Sequence, residues 1–331
     1  MAGANLPAKK YQKTSPTVTR LSFEFDGGST QFIDIGEALS KINRKAYRAG
    51  CYYYVNSVEV YNNETGVVDL HTAPDTWVTK NAWNRGFQIF QKMNRLVGPP
   101  LTSGIRPKYH DYKVYLNALH YNTGTTSPSL HGINAASTQY SVGEWVYSVY
   151  SSADSDGDLN SGHQDINQDS DEFAAHLLGD HEGTSANWDS IGLIKSYAES
   201  RARVPDSEPV TDTALLTDPL VNIFDYSTEE QMNAILLNLE EDNDQPPYNA
   251  NLYVGEGGHM QHVARIGTEH GVGRVGRASG FCAPFGLICV DPVTSFNADG
   301  SVDEANSITT AFRVVLNLAV GTYHGVYAER A

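Results

Sequence analysis

The chain has 331 residues, with 39 Asp and Glu against 23 Lys and Arg and a formal net charge of −16. Nineteen Tyr, 29 Gly and 14 Pro beside only four Met favour strands and turns over a helical bundle, and no apolar run reaches the ~18 residues of a membrane-spanning helix. The N-terminus, Met1-Ala-Gly-Ala-Asn-Leu, has no apolar stretch of the kind that marks a secretory leader, and the three cysteines (Cys51, Cys282, Cys289) lack Cys-x-x-Cys spacing, which argues for buried free thiols over a disulfide framework or a thiolate metal site.

Residues 1–17 hold Lys9, Lys10 and Lys13, no acids and no apolar periodicity, and read as a flexible basic arm. From Val18 to Phe25 apolar and polar residues alternate, predicting a strand, and a second short strand covers Gln31 to Ile35. Gly36 to Gly50 spaces Leu39, Ile42, Ala46 and Tyr47 as a short surface helix. Tyr52 to Tyr61 and Val67 to Thr72 flank Asn62-Asn-Glu-Thr-Gly66 in the pattern of a hairpin. Asp75 is the expected cap of a helix from Thr76 to about Val97, with Trp83, Phe87 and Phe90 on one face and Gly98-Pro99-Pro100 ending it.

After the loop Leu101 to Lys108, Tyr109 to Tyr121 reads as a long strand suited to pair with the end of the chain, followed by a polar loop and Gly143 to Tyr150. Residues 153–185 then hold nine acids and no Lys or Arg, and 205–250 hold eleven, again without a basic residue. Taking these 20 acids away leaves 19 against all 23 basic residues, so the remainder carries about +4. The first block is expected as an outer loop, because nine carboxylates without partners cannot be buried. The second holds a capping box, Ser227-Thr-Glu-Glu230, before the helical run Met232 to Leu239. Strands resume after Leu252, most clearly Phe285 to Val290. Ile308 to Val320 closes the chain as one strand of ~40 Å, with Phe312, Val314, Leu316 and Leu318 on one face and Ala311, Arg313, Val315 and Asn317 on the other. The pattern predicts an all-β fold: a single jelly-roll antiparallel β-sandwich over 18–331, with long loops, acidic insertions at 153–185 and 205–250, and two or three short helices.

Motifs narrow the chemistry. Gly271-Val-Gly-Arg-Val-Gly276 matches a dinucleotide fingerprint in letters only, since neither a buried strand before it nor a helix after it is predicted. It reads instead as a loop holding Arg274 and Arg277. Asp154-Ser-Asp-Gly-Asp-Leu-Asn160 spaces oxygens as a calcium loop does, but its Gly stands at the fourth position where the sharp turn needs one at the sixth. His163, Asp165, His176, Asp180 and His181 match no metal-ligand spacing, and neither Gly-x-Ser-x-Gly nor His-Glu-x-x-His occurs, so neither a metal, a cofactor nor an enzyme activity is assigned.

Six segments carry a resemblance: Tyr109-His-Asp-Tyr-Lys-Val-Tyr115, Gly192-Leu-Ile194, Tyr197-Ala-Glu-Ser-Arg-Ala202, Asp218-Pro-Leu220, Asp242-Asn-Asp-Gln-Pro-Pro-Tyr248 and Gly321-Thr-Tyr-His-Gly-Val-Tyr-Ala328. In this order, over roughly residues 108 to 331, the chain resembles the capsid proteins of small circular single-stranded DNA viruses, the smacovirus group in particular. The resemblance implies a self-assembling jelly roll that forms a small icosahedral shell around its DNA genome. Its location would be the virion, and the host cell interior during assembly, without membrane insertion. Contact with DNA would be weak and electrostatic, through Lys9, Lys10 and Lys13, joined by Arg20, Arg274 and Arg277 on the inner surface. The rival is a carbohydrate-binding β-sandwich with calcium-holding acidic loops, supported by the abundance of Tyr and Trp. Neither the subunit number, the host nor its receptor is written in the sequence.

Overall fold

Burial alternates along the first strand and sets the plan of the molecule. In β1 (Arg20–Phe25) Leu21, Phe23 and Phe25 are at most 3% exposed while Arg20 and Glu24 face solvent, as a strand with one buried face requires. The computed structural model describes residues 17–63, 66–97, 111–123, 129–130, 145–152, 171–184, 187–202, 255, 258–268, 275–292, 308 and 310–331. Among these the chain is mostly β, in sheets that are largely antiparallel.

The first sheet runs in the order β12 (Val275–Ala283), β3 (Cys51–Tyr61), β14 (Phe312–Leu318), β1, β6 (Ser129–Leu130), with β16 (Ala328–Arg330) also on β3. Its register puts Gly276, Val60, Val314, Phe23 and Leu130 in one row across five strands, and every member is buried. The second sheet runs β11 (Gln261–Thr268), β4 (Gly66–Thr72), β13 (Leu287–Asp291), β2 (Gln31–Asp34). Its Ile33, Val68, Leu70, Ile266, Ile288 and Val290 join Leu21, Phe23, Val58, Val60, Val314 and Leu316 of the first sheet in one core, so the two sheets face each other. Each of these side chains contributes ~1.5–3 kcal/mol by leaving water. Gly276 is needed where β12 passes β11: a Cβ there would lie 2.4 Å from Ile266 Cγ2.

A third layer covers the other face of the second sheet. Phe32, Leu287 and Cys289 point away from the first core and pack with Trp83 and Phe90 of α2 (Trp77–Val97) and with Tyr112, Leu116 and Leu177. This layer contains a mixed sheet ordered β5 (Tyr115–Asn117), β8 (Asp171–Leu178), β10 (Asn187–Gly192), β9 (Glu182–Thr184), with β7 (Val149–Ser152) also on β8. The pairs β5/β8 and β8/β10 are parallel. Three further helices, α1 (Ile35–Asn43), α3 (Ala118–Asn122) and α4 (Leu193–Ala202), complete the described α-helices. The Tyr112 hydroxyl hydrogen-bonds that of Tyr150 at 2.5 Å, and Tyr150 donates to Gly86 O of α2 at 3.0 Å, which ties α2 to its sheet. Cys51 and Cys289 are buried free thiols and Cys282 is half-buried. No helix among the described residues is long and apolar enough to cross a membrane.

Several expectations are corrected. The closing strand is β14, seven residues long, and its pairing with β3 shifts register between Asn317 and Leu318. Beyond it β15 (Val320–Tyr323) turns back through His324 and Gly325, both at positive φ. The long strand over Tyr109 to Tyr121 shrinks to β5: Asn117 Oδ1 accepts the His120 N–H at 2.8 Å and starts a helix instead, as a short polar side chain competing with a ladder can do. β5 pairs with β8, whereas the described partners of β14 are β1 and β3. β3 and β4 are no hairpin, since they belong to different sheets. Thr76, not Asp75, caps α2, its Oγ1 accepting from Thr79 N at 3.2 Å, while Asp75 pairs with Lys80 at 3.0 Å. The α-helices number four among the described residues, and α2 at 21 residues is not short. The block 153–185 is not one loop: from 171 on it is β8 and β9, because Phe173-Ala-Ala-His-Leu-Leu178 holds no carboxylate and Ala175, Leu177 and Leu178 are at most 1% exposed. The calcium-like segment 154–160, and 205–250 with its capping box, lie outside the described residues.

Candidate nucleic-acid interface

The outward face of the first sheet brings together two of the arginines predicted to meet nucleic acid. Strand alternation turns Arg20 of β1 and Arg277 of β12 to solvent, where their side chains are 61% and 73% exposed. Between them stands Glu59 of β3, directly opposite Arg277 in the register. Glu59 Oε2 accepts from Arg20 Nη2 at 3.1 Å and from the Tyr61 hydroxyl at 2.8 Å, and Arg277 Nε lies 3.7 Å from Oε1. Nearby on the same sheet, Arg313 of β14 donates to Glu24 at 2.9 Å. Arg313 is the member that sequence reasoning missed, although its place on the polar face of the last strand was the signal. Three guanidinium groups against two carboxylates sum to +1, and exposed pairs of this kind contribute little to stability. A phosphate approaching Arg20 or Arg277 therefore competes with Glu59. Lys9, Lys10, Lys13 and Arg274 lie outside the described residues.

Of the histidine group weighed for metal or hydrolytic chemistry, His176, Asp180 and His181 are described, and each makes structural contacts. His176 is fully buried in β8, and its Nε2 lies 2.8 Å from the Asp180 carbonyl. A carbonyl only accepts, so Nε2 carries the proton and Nδ1 accepts from the Ser190 hydroxyl at 2.7 Å. Burial holds the imidazole neutral, with its pKa down at about 4. A serine hydroxyl on a neutral imidazole is half of a nucleophilic pair, but Ser190 is also fully buried. His181 Nδ1 accepts from Gly192 N at 3.0 Å, leaving Nε2–H to face Glu199 at 3.2 Å, and Asp180 pairs with Lys195 at 2.6 Å. No group of three or more His, Cys, Asp or Glu among the described residues could hold a metal ion. His163 and Asp165 lie outside those residues.

A second titratable group sits where the sandwich meets the third layer. Asp34 ends β2 and caps α1: Oδ1 accepts from Glu37 N at 3.0 Å and Oδ2 from Trp145 Nε1 at 3.2 Å. Glu37 is buried beside it and paired with Lys41, and the buried Lys113 lies 4.4 Å from the Trp145 ring centroid. Burial, with the charge of Glu37 added, pushes the Asp34 carboxyl up to about 7 despite the three hydrogen bonds that oppose the shift. The sequence marks Asp34 only as a helix cap, through Asp34-Ile-Gly-Glu37; its contact with Trp145, 111 positions away, leaves no trace there.

Family models, curated proteins and solved structures were compared with the chain, and none matches it.

Proposed function

We propose that the protein is the coat subunit of a small circular single-stranded DNA virus, a jelly roll that assembles with copies of itself into a closed icosahedral shell. The observation that carries this reading is the order of the strands. Taken along the chain, the eight sandwich strands are β1, β2, β3, β4, β11, β12, β13 and β14, and every connection except β4 to β11 leads from one sheet to the other. First pairs with last (β1/β14), second with seventh (β2/β13), third with sixth (β3/β12) and fourth with fifth (β4/β11). That is a long antiparallel ribbon. It is wrapped so that β14 meets β3 and β13 meets β4, an arrangement that matches the double Greek key of viral capsid and lectin domains. The long separation between β4 and β11 is where the third layer is inserted.

The similarity of six segments to smacovirus-type capsid proteins favours the coat over the lectin-like alternative. Self-association is the partner interaction this reading requires, and single-stranded DNA is the second partner, met by the basic arm with Arg20, Arg274 and Arg277. Electron microscopy of the purified full chain tests it: uniform closed particles are the expected result, and dispersed monomers that bind an immobilised glycan would favour the alternative.

A further inference from the structure

We propose that the outer face of α2 is a binding surface for single-stranded nucleic acid, with Arg85, Lys92 and Arg95 meeting backbone phosphates. The helix has four basic residues and no acidic one in its 21 positions, inside a chain of net charge −16. At 3.6 residues per turn Trp77, Asn81, Arg85, Gln88, Lys92 and Arg95 fall within one arc of ~80°. All six are exposed, Trp77 to 40%. Trp83 and Phe90 are buried and seat the helix on the third layer.

Among the described residues the charge on this arc is not compensated. Lys80, outside the arc, is paired with Asp75 and lies 4.7 Å from the Tyr52 ring centroid. Among the described residues no ion pair includes Arg85, Lys92 or Arg95. The arc therefore carries +3 where the paired groups on the first sheet's outward face sum to +1. At 1.5 Å per residue the three cations are spread along ~15 Å of helix, a line that follows an extended backbone. Gln88 adds an amide donor between them and Asn81 one a turn before Arg85, and the Trp77 indole, 40% exposed, stands at that end as a plane for base stacking. A row of cations beside an aromatic platform is the arrangement that binds single strands without regard to sequence. An acidic peptide would meet the cations but leave the indole unused. The inference goes beyond the coat reading: α2 lies across the second sheet from Arg20 and Arg277, so this is a second surface for a strand, and it rests on the charge of one helix and not on assembly.

Fluorescence anisotropy of labelled oligo(dT) with the full chain, over a range of salt, tests it. The triple substitution Arg85→Gln, Lys92→Gln, Arg95→Gln should weaken binding at least ~10-fold at low salt and make the slope of log affinity against log salt shallower by about 2, at ~0.7 for each phosphate no longer neutralised. Its melting temperature should be unchanged, since the three side chains are exposed. Trp77→Ala should weaken binding without altering the slope. Oligo(dT) affinity unchanged in the triple variant overturns the proposal, as does loss of binding to heparin or a poly-glutamate peptide with oligo(dT) binding intact. Wild-type tightness in Trp77→Ala overturns the choice of nucleic acid over an acidic partner. Light scattering on the same samples separates this from the coat reading: shells that form while the triple variant binds normally refute the α2 surface alone, and substitution-sensitive binding without shells refutes the coat alone.

Discussion

Leu316 stands opposite Leu21 on one side and Val58 on the other, with no exposure to solvent. Its replacement by Ala should cost ~2–5 kcal/mol in urea unfolding, the range for a buried leucine whose surroundings cannot close the gap. Glu59→Gln should stay within ~1 kcal/mol of wild type, because the ion pairs it loses are to exposed arginines. The buried titratable residues set a pH dependence that differs in sign between them. His176 and His120 have their pKa values lowered by burial to about 4 and about 3. Between those values and the ordinary ~6.5 the unfolded chain binds more protons than the fold, so stability present above pH ~6.5 is lost as pH falls. Asp34, raised to about 7, does the reverse: between pH ~4 and that value the fold holds its proton while the unfolded chain does not, so its contribution is full at low pH and is lost as pH rises. Near pH ~5 two histidines outweigh one carboxyl, and these three groups together make stability rise with pH by about one proton's worth. Asp34→Asn removes the opposing group and should steepen that rise about twofold. Unfolding curves at about pH 4.5 and 5.5 measure it, and an unchanged slope would show that Asp34 is ionised in the fold.

At the scale of elements, β8 is the centre of the third layer, bonded to β5, β7 and β10. Replacing 171–178 by a Gly/Ser linker should therefore abolish the cooperative unfolding of that layer and expose the outer face of the second sheet, read as binding of a hydrophobic dye. A product with the melting temperature of wild type would show that the layer is held by α2 and α4 alone. The strand is hidden in the sequence by its neighbours: acids on both sides mask the six uncharged residues that end it, Phe173 to Leu178. Elements whose own pattern decides them are legible, as with β1, β2, β4 and α2, each within about two residues of expectation. β5 is not, because its fate turns on one local hydrogen bond, from His120 N to Asn117. The first sheet's arginines are legible singly, but their pairing with Glu59 is not, since it depends on strand register between residues 39 and 218 positions apart.

At the scale of the whole molecule, the sheet order explains how a chain interrupted between β4 and β11 still closes one sandwich. The ribbon needs only its paired strands, and an insertion at its tip leaves the pairing intact while covering the second sheet's outer apolar surface with the third layer. Strand partners this far apart in sequence leave no local trace, so the β-rich class can be read from composition and alternation while the pairing cannot. The coat reading stands on one claim, that this sandwich packs against copies of itself. Size-exclusion chromatography with multi-angle light scattering of the full chain, across salt from low to high and from mildly acidic to mildly basic pH, tests it most directly. Closed particles of a single large mass are the predicted result, and a species that stays at the 36.2 kDa of one chain under every condition would contradict it.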